Sequence, residues 1–263
     1  MLIKELLNTN RELKIKALEL YYKANAGHIG STLSCIDVLS SVLLYKMNPE
    51  DEFILSKGHA AVALYVTLHK KGLISDSELS KYYIEGTQLP AHPAPNAIKG
   101  IRFATGSLGH GLPIATGIAK SRKINKKAGE IFVLMSDGET NEGTTWEAAH
   151  FATFHKLDNL LVLIDKNKIQ GIDLTNKVIG DTSNFKKYEN IGFDVKEING
   201  HNLVEIVNTI DEIRNQFNGR PKLIIANTIK GKGVSFMENT VDWHYWPMSE
   251  AQFQQAITEI RNS

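Results

Sequence analysis

The sequence predicts an α/β protein: a doubly wound, mostly parallel sheet with helices on both faces. Three observations carry that expectation. Short apolar runs alternate with segments of helical apolar spacing along the chain, the pattern of strands joined by crossover helices. Two of the runs, 131–135 and 160–164, are separated by a stretch of the right length for one such helix, so they run parallel and end on the same edge of one sheet. Each is followed by oxygen-bearing side chains, Ser136-Asp137-Gly138 after the first and Asp165-Lys166-Asn167 after the second. Ligands of open α/β sheets bind at that place, beyond the carboxyl ends of the strands.

The elements follow in order. Residues 2–23 space Leu6, Leu13, Leu18 and Leu20 as a helix and end before a glycine-containing loop. Residues 33–46 form a second apolar helix stopped before Pro49, residues 53–55 a short strand, and residues 59–71 a helix. Residues 86–105, with Pro90, Pro93 and Pro95, form a long irregular loop of the functional kind. Residues 110–123 are helical, with Pro113 in the first turn where it is tolerated. After the two central strands come a strand at 193–198, a helix at 203–217, a strand at 223–228 and a final helix at 249–260 capped by Ser249. No internal repeat, low-complexity tract or linker interrupts the chain, so residues 1–263 read as a single domain.

Bulk properties narrow the function. With 263 residues, 42% hydrophobic, the chain can bury one large core. A net charge of +1 gives no electrostatic case for nucleic acid or an anionic membrane. No run approaches transmembrane length, and Met1-Leu2-Ile3-Lys4-Glu5 lacks the apolar core of a secretory signal. The single cysteine, Cys35, excludes an internal disulfide framework and reads as a small buried residue. Together these features predict a cytoplasmic protein.

Asp137 alone reads as a strand-end turn residue. Paired with Asn167 and a nearby backbone carbonyl it makes a hard-oxygen site, suited to Mg²⁺ or Ca²⁺ holding a pyrophosphate. Gly106-Ser107-Leu108-Gly109 precedes a helix, where backbone N–H groups meet phosphate or polar cofactor edges, or make an ordinary loop-to-helix turn. Of nine histidines, His28, His59, His92, His110 and His244 lie in loop motifs, and imidazole suits proton transfer and sugar hydroxyls. His69, His150, His155 and His201 read as structural.

The Asp137-Gly138 … Asn167 spacing resembles the signature of thiamine diphosphate enzymes, and the flanking text resembles transketolase specifically. Ala26-Gly27-His28-Ile29-Gly30, Leu55-Ser56-Lys57-Gly58-His59-Ala60, Thr105-Gly106-Ser107-Leu108-Gly109, Glu139-Thr140-Asn141-Glu142-Gly143, His155-Lys156-Leu157-Asp158-Asn159-Leu160 and Lys230-Gly231-Lys232-Gly233 with Trp243-His244 occur in register over nearly the whole chain. The resemblance implies the thiamine diphosphate-binding fold. It implies Asp137, Asn167 and the Ile169 carbonyl as ligands of Mg²⁺, with Ca²⁺ as a substitute. It implies cofactor contacts from His59, Gly106, Leu108, Asp137, Gly138, Glu139, Asn167, Lys230 and His244. It further implies His28, His59 and His244 as catalytic residues, with His92 and His110 at the substrate. Lys230 is equally readable as a solvated charge. Glu142 matches a glutamate that couples active sites across a subunit interface, or else serves the N-terminus of the next helix. The sequence departs from the family at Ser107, Ser136 and His110, where proline, glycine and glutamine are usual.

The family's reaction transfers a two-carbon ketol unit from a ketose or ketose phosphate to an aldose. It also needs a pyrimidine-binding domain carrying a glutamate, and no second α/β pattern follows Trp243-His244. The chain is therefore expected to be the pyrophosphate-binding half of a split transferase, active with a separate pyrimidine-binding subunit in an α2β2 heterotetramer. Two alternatives stay open: a thiamine diphosphate-dependent carboligase using pyruvate or making a specialised branched sugar, and a non-catalytic cofactor-binding module. His110 and the 86–105 loop are what keep the first of these in play.

Overall fold

The computed structural model describes residues 2–216 and 218–263. Among the described residues, five strands form one sheet: β1 (Glu52–Leu55), β2 (Ile131–Ser136), β3 (Leu160–Lys166), β4 (Asp194–Asn199) and β5 (Lys222–Asn227). Every pairing is parallel and the order is β1-β2-β3-β5-β4. The α-helices around it, again among the described residues, are α1 (Leu2–Ala24), α2 (Ile29–Ser41), α3 (Ala61–Lys70), α4 (Asp76–Leu79), α5 (Gly111–Ile124), α6 (Gly143–Phe154), α7 (Thr175–Val178), α8 (Phe185–Ile191), α9 (Leu203–Arg214) and α10 (Glu250–Asn262).

Strand residues alternate between two cores, as the two-residue side-chain period of a strand requires. Phe132, Leu134, Leu161, Leu163, Ile224 and Ala226 pack with α1, α2, α3, α9 and α10. Ile131, Val133, Met135, Val162, Ile164 and Ile225 pack with α5, α6 and α8 on the other face. Both faces being covered, β2 is buried from end to end and β3 up to Lys166.

Four departures from the sequence reading have physical reasons. The second helix begins at Ile29, four residues early, because His28 turns the chain with a left-handed backbone (φ 74°) and the small residues Gly30 and Ser31 fit its crowded first turn. That helix continues as a π-helical turn, Val42–Lys46, giving an 18-residue apolar run at Ile29–Lys46. The run is therefore long enough to cross a membrane by length and composition, contrary to expectation, but 83% of it is buried inside the fold, where it packs against α1, α3 and α9. Residues 59–71 open as a 3-10 turn, Gly58–Ala60, before α3. The fourth departure is the short helices α4, α7 and α8, which have too few residues to show a period. The expected end of the 203–217 helix, Phe217, lies outside the described residues; α9 closes at Arg214. Residues 86–105 contain no helix or strand, and Ser249 caps α10 reciprocally with Gln252.

Candidate active site

The segments that follow β1, β2 and β3 converge on a cavity of about 320 Å³. Ser136 pairs with Asp165 across β2 and β3, and the Asp137 N–H donates to the Asp165 carbonyl at 3.1 Å, so the two loop tips are locked side by side. The Asp137 carboxylate is buried. One oxygen accepts the Gly138 N–H at 2.8 Å, and the other accepts the Lys168 N–H at 2.7 Å and the Thr175 hydroxyl at 3.1 Å. Burial and the neighbouring Asp165 charge raise its pKa to about 6. Asp165 is neutralised by Lys57, whereas no lysine or arginine pairs with Asp137 among the described residues. A buried carboxylate facing a cavity without its own counter-ion, beside the Asn167 carboxamide and the Ile169 backbone, is a fitting oxygen set for Mg²⁺.

Four histidines from four separate segments meet at the same cavity. His28 lies 5.7 Å from His59, 5.6 Å from His92 and 5.1 Å from His244, ring centre to ring centre, and His59 lies 5.3 Å from His244. The backbone enforces this. The His28 N–H donates to the His244 carbonyl at 2.9 Å, and a Cβ on Gly27 would stand 2.5 Å from the Tyr245 carbonyl oxygen. Gly106, at φ 132°, lets its backbone press against His92, where a Cβ would come within 2.6 Å of the ring. Left-handed backbone at the non-glycine residues His28 and Lys168 marks strain held by the surrounding contacts.

Burial keeps these rings uncharged. It lowers the pKa of His28 to about 4 with help from His92 and Lys230, and that of His244 to about 3 with help from Lys230 and His28. The pKa of His59 falls well below normal through burial and Lys57, and burial also lowers that of His92. Lys230 is fully buried, so the solvated-charge reading fails. Its ammonium reaches the Gln170 carbonyl at 3.1 Å and His244 Nδ1 at 3.0 Å. Burial and Lys57 lower its pKa to about 8. An ammonium has no acceptor lone pair, so Nδ1 accepts and the ring proton of His244 sits on Nε2.

The other expected residues divide between the cavity wall and its surroundings. Gly106, Leu108, Gly138 and Ile169 line the cavity. Glu139, expected among the cofactor contacts, does not. Its fully buried carboxylate accepts from Ser56 and from the N–H groups of Gly109 (2.9 Å) and Ser136 (3.3 Å), bracing two loops against the end of β2. His110, expected at the substrate, is exposed outside the cavity at the start of α5, its Nδ1 near the Ser107 and Leu108 carbonyls. Glu142 is exposed at the N-cap of α6 and makes no side-chain cap bond. His201 bridges the Asp37 carboxylate (2.7 Å) and the Ile229 N–H (2.8 Å), which is a packing role. Ser31, Gln170, Ile172 and Tyr245 line the cavity without having been singled out. Gln170 and Tyr245 directly follow predicted site residues, the one signal available for them.

Residues 3–260 match the family described as transketolase, thiamine diphosphate binding domain. The chain belongs to that family. It is 39% identical to one of the subunits of the apulose-4-phosphate transketolase of Phocaeicola vulgatus, over 93% of this chain and 90% of that one. It is 35% identical to the 6-deoxy-6-sulfo-D-fructose transketolase subunit SqwG of a Clostridium species, over 92% and 91% respectively. Among solved structures, the transketolase of Campylobacter jejuni superposes with a TM-score of 0.88 at 29% identity. There the match covers 98% of this chain but 43% of that one, so this transketolase-family chain spans under half the length of that enzyme.

Proposed function

We propose that this chain is the diphosphate-binding subunit of a transketolase-like transferase, which moves a two-carbon ketol unit from a ketose or ketose phosphate to an aldose. The observation that carries the reading is one cavity holding both the Asp137–Asn167 oxygen pair and four uncharged histidines. Asp137, Asn167 and the Ile169 carbonyl would hold Mg²⁺, or Ca²⁺ in its place, and through it the cofactor's diphosphate. Bound thiamine diphosphate supplies the carbon nucleophile that makes C–C cleavage and formation feasible.

This chain's residues place and protonate. The loop at Gly106 and Leu108 walls the cofactor side of the cavity. His244 presents its Nε2 proton as a donor, fixed in that tautomer by Lys230. His28 and His59, kept neutral by burial, take up a hydroxyl proton from the donor sugar as its C2–C3 bond breaks. His92 borders the same space and orients hydroxyls.

A separate pyrimidine-binding subunit belongs to the proposal. Two relatives of near-equal length are named as transketolase subunits. The cavity rim also carries exposed apolar surface, Ile172 and Tyr245 being 74% and 59% accessible, which suits a covering partner. An α2β2 assembly, with exposed Glu142 at a contact between subunits, and a cytoplasmic location consistent with the free buried Cys35, complete the reading. His110 does not line the cavity, so it gives no support to the alternative of a carboligase that uses pyruvate or makes a specialised branched sugar. Assays of the chain with and without its partner, offering ketose phosphates against pyruvate as donors, test the proposal. Turnover of ketose donors by the pair is expected. Robust turnover by the chain alone, or a preference for pyruvate, contradicts it.

A further inference from the structure

Lys57 and Asp165 form a fully buried ion pair directly beneath the oxygen site. We infer that this pair is the positioning shell of the metal site, orienting the Asn167 carboxamide for the ion. The inference rests on the functional reading above. Both lone-pair faces of Asp165 are engaged. One oxygen takes the Thr228 hydroxyl. The other takes Lys57, the Ser34 hydroxyl at 2.6 Å and Asn167 Nδ2 at 3.2 Å. Asp165 therefore has no oxygen to offer a metal, although it stands two residues from Asn167.

Its effect on Asn167 is directional. A carboxylate accepts and cannot donate, so the NH₂ end of the Asn167 amide must turn toward it and the carbonyl end must turn away. Ser34 Oγ, at 3.3 Å from Nδ2, holds the same orientation. The freed Oδ1 accepts the Ile169 N–H at 3.0 Å and keeps a second lone pair for an ion. Lys57 makes this possible. Without it a second buried carboxylate would sit uncompensated beside Asp137. Its ammonium also donates to the Ser31 carbonyl at 3.1 Å, which ties the first turn of α2 to the same point. Partners of this kind typically change metal affinity by about 10–100-fold when removed.

A charge-neutral replacement separates positioning from electrostatics. Lys57→Met combined with Asp165→Leu removes one charge of each sign, so the net charge near the ion is unchanged. Exchange of a buried pair for apolar side chains is often neutral for stability. Calorimetric titration of Mg²⁺ into the variant reconstituted with its partner and thiamine diphosphate is read beside the melting temperature. The expected result is a near-normal melting temperature, an apparent Mg²⁺ Kd raised by about tenfold or more, and turnover recovered at high Mg²⁺. An unchanged Kd in the folded variant overturns the inference. Should the double variant not fold, Ser34→Ala reads the same shell, because it removes one donor to Asp165 and one acceptor for Nδ2. A several-fold rise in Kd supports the inference and no change overturns it. The unaltered pair is the control: absence of Mg²⁺-dependent cofactor uptake there overturns the functional reading instead.

Discussion

His28 is the residue on which the site turns. Its left-handed backbone starts α2, its N–H holds the His244 segment, and its ring touches three other imidazoles. Around it stand His59, His92, His244, Lys230 and Tyr245, so a proton on this ring would be both poorly solvated and repelled. NMR titration should show His28 and His244 neutral throughout the range pH 5–8. The unfolded chain binds these protons near pH 6.5 and the folded chain only near pH 4 and pH 3. Protons thus favour the unfolded state, and stability falls as pH drops from 6.5 toward 4. His28→Gln should flatten that loss between pH 7 and pH 5 in urea unfolding; an equally steep loss contradicts the assignment. His59→Ala should lower turnover by about 10²-fold or more while cofactor retention changes little, and equal losses would mark His59 as structural. At this scale the loop motifs made legible that Asp137, Asn167 and four of the histidines share one cavity, since each sits in a short loop whose residue types suit the proposed chemistry. They could not show that Glu139 braces loops, that His110 lies outside or that Lys57 compensates Asp165. Those facts depend on which loops the sheet brings together.

Loops set by strand ends make the elements the next level of control. Gly58 follows β1 and packs face to face on the 105–106 backbone, where a Cβ would stand 2.5 Å from the Thr105 carbonyl carbon. Gly58→Ala therefore has no room. It should destabilise the fold by about 1–3 kcal/mol and push Gly106 from its place against His92, weakening cofactor binding in calorimetry. Wild-type stability with wild-type cofactor affinity would show that this contact is not tight. Strands β2, β3 and β5 were legible as continuous apolar runs, and the long helices through their sustained apolar period. The start of α2 was not, because Gly30, Ser31 and Thr32 in its first turn are weak helix formers. Residues 170–192 were also silent. The bridge of Ile169 to Leu174 and α7, whose Thr175 bonds Asp137, lie at the site, whereas α8 is capped by Asn184 and Gly192 and packs Tyr188 into the core.

At the scale of the whole molecule, a single sheet edge gathers the candidate site: oxygens from the ends of β2 and β3, histidines from the segments before α2, α3, α5 and α10, and Lys230 after β5. The same edge is open, with Ile172 and Tyr245 exposed at the rim, as expected of a half-site completed by another subunit. The parallel order β1-β2-β3-β5-β4 was not written in the sequence, although the crossover between β2 and β3 was, through its length. The central claim is that the tips of β2 and β3 grip one divalent ion and with it the diphosphate of the cofactor. The most direct measurement is calorimetry of thiamine diphosphate binding to the chain joined with its partner, with and without Mg²⁺, for the wild type and for Asp137→Ala. The account predicts uptake that requires Mg²⁺ and is lost in the variant. Cofactor binding that is indifferent to Mg²⁺, or that survives removal of the Asp137 carboxylate, would contradict it.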